Sequence, residues 1–154
     1  MGIKELNKRP EIIANKKVLK VYTQLDRLLS ELKKKELSNE IISAINNEIE
    51  HVNAVSDSGN TLRKQVRKSQ RDVVKLLEKE LKLVVKNHYR NLWLAVGMSA
   101  FGMPLGAAFG MSLDNMGLLG VGLPIGMVIG MALGTSMDKK AFKEGRQLDL
   151  ELNY

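Results

Sequence analysis

The chain has 154 residues, 44% of them hydrophobic, no cysteine and a formal net charge of +7. Disulfides and thiolate metal sites are excluded, and the length suffices for one modest domain plus one apolar segment. The charge is uneven: residues 1–90 carry 20 Lys and Arg against 12 Asp and Glu, so the basic half suits an anionic surface.

Residues 1–10 are polar, have no apolar core of a secretory signal, and read as a frayed lead. A helical pattern begins at Glu11. Val18, Val21, Leu25, Leu28 and Leu32 alternate steps of three and four, and Tyr22 and Leu29 widen the stripe. Lys33-Lys34-Lys35 suits a helix C-terminus, where the dipole favours cations. Ser38 or Asn39 can cap a second helix with Ile41, Ile45, Ile49 and Val52 on one face. Asp57-Ser58-Gly59-Asn60 breaks it. Asn60 or Thr61 can cap a third helix, whose buried side reads Leu62, Val66, Val73, Leu77, Leu81 and Val84. Nothing between Thr61 and Leu92 stops this helix, so it is expected to continue as one rod into the apolar stretch that follows. Three such helices with short connections predict an antiparallel bundle or coiled coil. Self-association or a protein partner would cover any stripe left exposed.

From Leu92 to Met137 the only interruption is Asp114-Asn115. Residues 92–113 and 116–137 each reach the roughly 20 apolar residues needed to cross a bilayer. The fold class expected is therefore all-α: a helical region over 1–90, a transmembrane hairpin over 91–137 and a short tail over 138–154. Gly102, Gly106 and Gly110 recur every fourth residue, as do Gly122, Gly126, Gly130 and Gly134. That spacing puts glycine on one face of each helix, where two backbones can approach closely. The spans also repeat one another, with Pro104 and Pro124 equally far from Asp114, which predicts two matched kinks. Lys82, Lys86 and Arg90 precede the first span. Lys139 and Lys140 follow the second, and the tip carries no cation. The positive-inside rule then places both termini in the cytoplasm. Tyr89 and Trp93 fall where the first span enters the membrane, and with the flanking cations they read as interface anchors on anionic headgroups. Leu148, Leu150 and Leu152 alternate, but with no partner strand in view they read as a flexible tail.

No converging set of catalytic groups can be assembled. His51 and His88 lack the spacing of a zinc pair, and the glycines follow no strand and precede no phosphate-loop lysine. No enzyme activity, cofactor or metal is expected. Arg63, Lys64, Arg67, Lys68 and Arg71 lack interleaved aromatics, so nucleic acid is set aside in favour of a solvated helix face.

The glycine series, with Met137-Asp138-Lys139-Lys140 and Glu144-Gly145-Arg146-Gln147, resembles small glycine-zipper hairpin membrane proteins of bacteria over Leu92–Gln147. The resemblance implies close helix packing; the small-residue faces suggest a homo-oligomer, and the apolar spans with their basic flanks a two-pass place in the inner membrane. Members of that class include channels, pore-forming toxins and structural proteins. Two functions stay open: an oligomer that forms or gates a pore or perturbs the bilayer, and a membrane-anchored interaction module without transport activity.

Overall fold

The computed structural model describes residues 2–56, 58–115, 117 and 119–152, the side chain of Leu119 excepted. Asp57 of the expected break, Met116 at the start of the second expected span, and Asn153 and Tyr154 of the tail lie outside the described residues. The chain is mostly helical, in line with the periodicities. It forms two compact units, one holding the residues up to Val84 together with those from Leu148 onward, the other Val85–Gln147. These divisions fall at 84 and 147, where composition placed them at 90 and 137.

In the first unit, α1 (Lys16–Leu32), α2 (Asn39–Asn53) and α3 (Asn60–Leu81) carry the expected seams. Val18, Leu25, Leu28, Leu32, Ile45, Ile49, Val52, Leu62, Val66, Val73 and Leu77 are all buried. The third helix packs against both of the others. Pro10–Ala14 forms a 3-10 turn, so α1 starts at Lys16 and not at Glu11. The Asn15 side chain caps it, accepting from the Lys17 and Val18 amides at 3.2 and 3.4 Å. Ser38 caps α2 through the Ile41 amide at 3.4 Å. The N-cap position of α3 is Gly59, one residue ahead of the two expected candidates.

The lead is pinned, contrary to its frayed appearance in sequence. Asn46 and Asn53 stand seven residues apart, two turns along one face of α2. Asn46 Oδ1 accepts from the Lys4 amide at 2.7 Å, and its Nδ2 donates to the Gly2 carbonyl at 3.0 Å. Asn53 repeats the pattern with the Asn7 amide at 2.9 Å and the Glu5 carbonyl at 3.1 Å. Two side-chain amides thus offer the extended lead what a neighbouring strand would offer it. The Tyr22 hydroxyl donates to the Asn7 carbonyl at 2.7 Å, and burial holds that phenol above its ordinary pKa against the lowering effect of Arg9. The Arg9 guanidinium donates to the carbonyls of Val52, Asn53 and Val55, closing the end of α2.

The continuous rod expected from Thr61 to the apolar stretch does not form. Lys82 ends α3 in the left-handed conformation at φ 56°, and Asn87 repeats it at φ 59°. Between them Val84–Lys86 is a strand, β1. Its partner is β2, Gln147–Glu151. Val84 is therefore a strand residue rather than the last apolar position of α3. Residues 148–152 are likewise structured, with Leu148, Leu150 and Leu152 buried. The alternation visible in the sequence is that of a real strand whose partner, three residues long, is too short to show a period of its own.

In the second unit a continuous helix runs from His88 to Ser112. It consists of α4 (His88–Gly97), a π-helical turn (Met98–Gly102) and α5 (Met103–Ser112). The Asn115 amide donates to the Gly110 carbonyl at 3.0 Å, across Asp114 at φ 47°. A short acidic side chain tolerates this conformation, so Asp114 turns the chain. The return helix is α6, Leu119–Lys143.

Candidate functional site

Within the second unit the two apolar helices meet along glycine. Gly97, Gly102, Gly106 and Gly110 are buried on one helix, and Gly122, Gly126, Gly130 and Gly134 on the other. A Cβ added at Gly122 would lie 2.6 Å from the Gly106 Cα, and one at Gly126 would lie 2.5 Å from the Gly102 amide nitrogen. At Gly130 it would lie 2.8 Å from the Trp93 carbonyl carbon, and at Gly134 2.5 Å from the Arg90 Cα. These neighbours are backbone atoms, which cannot step aside as a flexible side chain would. Gly120 has nothing within 4 Å and lies off the contact.

Gly97 belongs to this face although it sits five residues before Gly102, outside the four-residue series. The π turn between them explains its position. An α-helix would rotate Gly97 away, but a turn with one extra residue restores its direction. The Met103 amide donates to Met98 O, five residues back. Pro104 supplies the reason for the turn. It has no N–H, and its ring crowds the carbonyl four residues earlier; widening the helix just ahead relieves both. Ser99 Oγ donates to the Ala95 carbonyl at 3.0 Å and to that of Val96 at 3.2 Å. Pro124 lies inside α6 with no π turn of its own. The two prolines, equivalent in the sequence repeat, are not equivalent in the fold.

The glycine register does not stop at Gly134. Four residues on stands Asp138, buried at 7% exposure. Its Oδ1 accepts from the Tyr89 amide and its Oδ2 from the Arg90 amide, each at 3.0 Å. These amides open α4, where helices leave N–H groups unpaired and the dipole is positive. An anionic side chain from one helix thus caps the start of the other. The signal is in the sequence: Gly122, Gly126, Gly130, Gly134 and Asp138 form one unbroken four-residue series. The carboxylate is hidden there because it follows the hydrophobic stretch and reads as one of its polar flanks.

The end of α6 is closed by Gly145, at φ 68°. The Gly145 amide donates to the Phe142 carbonyl at 3.0 Å, and the Arg146 amide to Ala141 O at 2.9 Å. This is the double-bonded left-handed cap for which glycine is favoured. Arg146 bonds Glu144 and the Tyr89 side chain, and the Glu144 bond foremost raises the guanidinium pKa.

The expected anchors fall on different elements. Tyr89, Arg90 and Trp93 lie on α4, and Lys139 and Lys140 on the last turns of α6. Lys86 is on β1, and Lys82 ends α3. The three cations Lys82, Lys86 and Arg90, spaced as one helical face in sequence, do not share a helix. His51 lies on α2 with Nδ1 3.6 Å from Glu48 Oε1, while His88 opens α4 edge-on to the Tyr89 ring. Comparison with protein-family models, with curated proteins and with solved structures yields no match.

Both helices of this unit are long and apolar enough to cross a membrane. Only 17% and 22% of their most apolar windows are buried, unlike the mostly covered core helix of a soluble domain. Phe101, Met103, Phe109, Met111, Val128 and Leu133 are all exposed.

Proposed function

We propose that the chain is a two-pass membrane protein of the inner membrane whose hairpin anchors the helical unit at the cytoplasmic face, where that unit binds a partner or a second copy. One observation carries the reading. The glycines of the two facing rows are spent on the contact between the hairpin's own helices, in the manner of a glycine zipper, and most of the large side chains around them are exposed and apolar. Such a surface suits hydrocarbon, and it offers no polar stripe to line a conduit. The basic residues at both cytoplasmic ends support the orientation.

A second reading has its own support. Ala100, Ala108 and Ser112 are exposed, and Gly120 is open, so a small-residue face remains for a neighbouring copy, as an oligomeric pore would need.

One measurement on intact cells tests the orientation, and one on reconstituted protein separates the two readings. A cysteine at Asn115 should react with an impermeant thiol reagent applied from outside; labelling only after lysis would reverse the orientation. Liposomes containing the protein should show ion flux no faster than empty ones. Protein-dependent flux would replace the anchor by the pore.

A further inference from the structure

At the charged end of the hairpin, a cleft of about 410 Å³ opens between the start of α4 and the end of α6. Lys86 lines it from β1, Arg90 from α4, and Thr135, Lys139, Phe142 and Lys143 from α6. Arg90, Lys139 and Lys143 make no ion pair among the described residues. Asp138 also lines the cleft, but both its oxygens already accept from the Tyr89 and Arg90 amides. Its charge is partly offset there by the positive start of α4. Phe142 is 68% exposed. The same end of the hairpin is where the two apolar windows give way to charge. Grouped cations, an uncovered apolar ring on the same helix and a hydroxyl about two turns nearer the apolar span match the chemistry of a phosphodiester carrying an acyl chain.

We propose that this cleft is a binding site for the phosphate of an anionic phospholipid, held by Arg90, Lys139 and Lys143, with Phe142 against its glycerol and upper acyl chain. The site rests on the membrane reading above and deepens it. Cations grouped between two helices at the membrane surface select anionic headgroups, and the guanidinium of Arg90 can meet a phosphate through two parallel hydrogen bonds. Lys140 is on the same helix but outside the cleft, so it contributes only general attraction. Inorganic phosphate shares the charge but not the acyl chain, and would leave Phe142 unused.

The chain has a single tryptophan, Trp93, one turn beyond Arg90, which makes it a reporter. Full-length protein is reconstituted in phosphatidylcholine with either brominated phosphatidylglycerol or brominated phosphatidylcholine, and Trp93 fluorescence is followed as bromine content rises. The site predicts roughly tenfold stronger apparent binding of the brominated phosphatidylglycerol. The combined variant Arg90→Gln, Lys139→Gln, Lys143→Gln should lose that preference yet keep its quenching by brominated phosphatidylcholine, which shows it still inserted. Lys140→Gln should keep the preference, and excess inorganic phosphate should not abolish it. Equal quenching of the native protein by both lipids would overturn the site while leaving the anchor standing. A preference that survives the triple variant, or falls equally with Lys140→Gln, would overturn it too. Loss of the preference on adding inorganic phosphate would reassign the cleft to free phosphate. No quenching by either lipid would overturn the membrane reading itself, and the site with it.

Discussion

Single atoms decide the ends of the hairpin. Asp138 supplies two acceptor oxygens to two amides, and its charge faces a positive helix terminus. In Asp138→Asn one of those acceptors becomes a donor and the charge is lost. The hairpin should then lose about 1–2 kcal/mol, read as a lower melting temperature of the protein in detergent by circular dichroism. An unchanged melting temperature would mean that the cap contributes nothing. At Gly145 the expectation from sequence differs from that of the structure. The residue lies beyond the spans and looks free to vary. Its φ of 68° instead makes Gly145→Leu cost about 1–2 kcal/mol, although nothing lies within 4 Å of a new Cβ. The strain is in the backbone, so Gly145→Asn should be better tolerated than Gly145→Leu in the same melt. Equal stability of all three proteins would rule the strain out.

At the scale of elements, the two long helices differ in how they use glycine. On α6 a strict four-residue step carries one face from Gly122 to Asp138. On the facing helix the step is broken once, by the π turn before Pro104, and the break keeps Gly97 in line. Space around a glycine therefore depends on its register and not on its residue type. Gly126→Leu would place atoms on the backbone of Gly97 and Gly102, and should destabilise the hairpin by about 1–3 kcal/mol or separate its helices. Gly120→Leu enters open space and should melt close to the native protein, or slightly higher because leucine is the better helix former. If both variants behaved alike in detergent melts, the close contact at Gly126 would not exist.

On the scale of the whole molecule, the residues from Leu148 return to the first compact unit. Leu148, Leu150 and Leu152 are 1%, 8% and 3% exposed, and burying one leucine contributes about 1.5–3 kcal/mol. A chain ended after Arg146 should therefore lose several kcal/mol from the helical unit, seen as a lower urea midpoint of its helical signal. A midpoint equal to that of the full chain would return the tail to the flexible role its composition suggests. The same burial means that a fragment of residues 1–90 lacks β2 and is a poor stand-in for the helical unit.

The local patterns were legible because they are repetitive. The seams of α1 and α2, most of that of α3, the two apolar spans, the turn at Asp114 and the glycine faces all follow from one periodicity read along one segment. What the tertiary structure decided depends on pairs of residues far apart in the chain. Asn46 and Asn53 hold the lead only because it crosses α2, and no local pattern marks them. Val84–Lys86 is a strand because Gln147–Glu151 lies beside it, which overrides the helical spacing that carries Leu62 to Leu81. Gly97 joins the packing face only after Pro104 has forced an extra residue into the helix. Asp138 becomes a cap only when the first amides of α4 are brought to it. In each case the free energy lies in hydrogen bonds or close contacts between distant segments, and a sequence read in order shows one partner at a time.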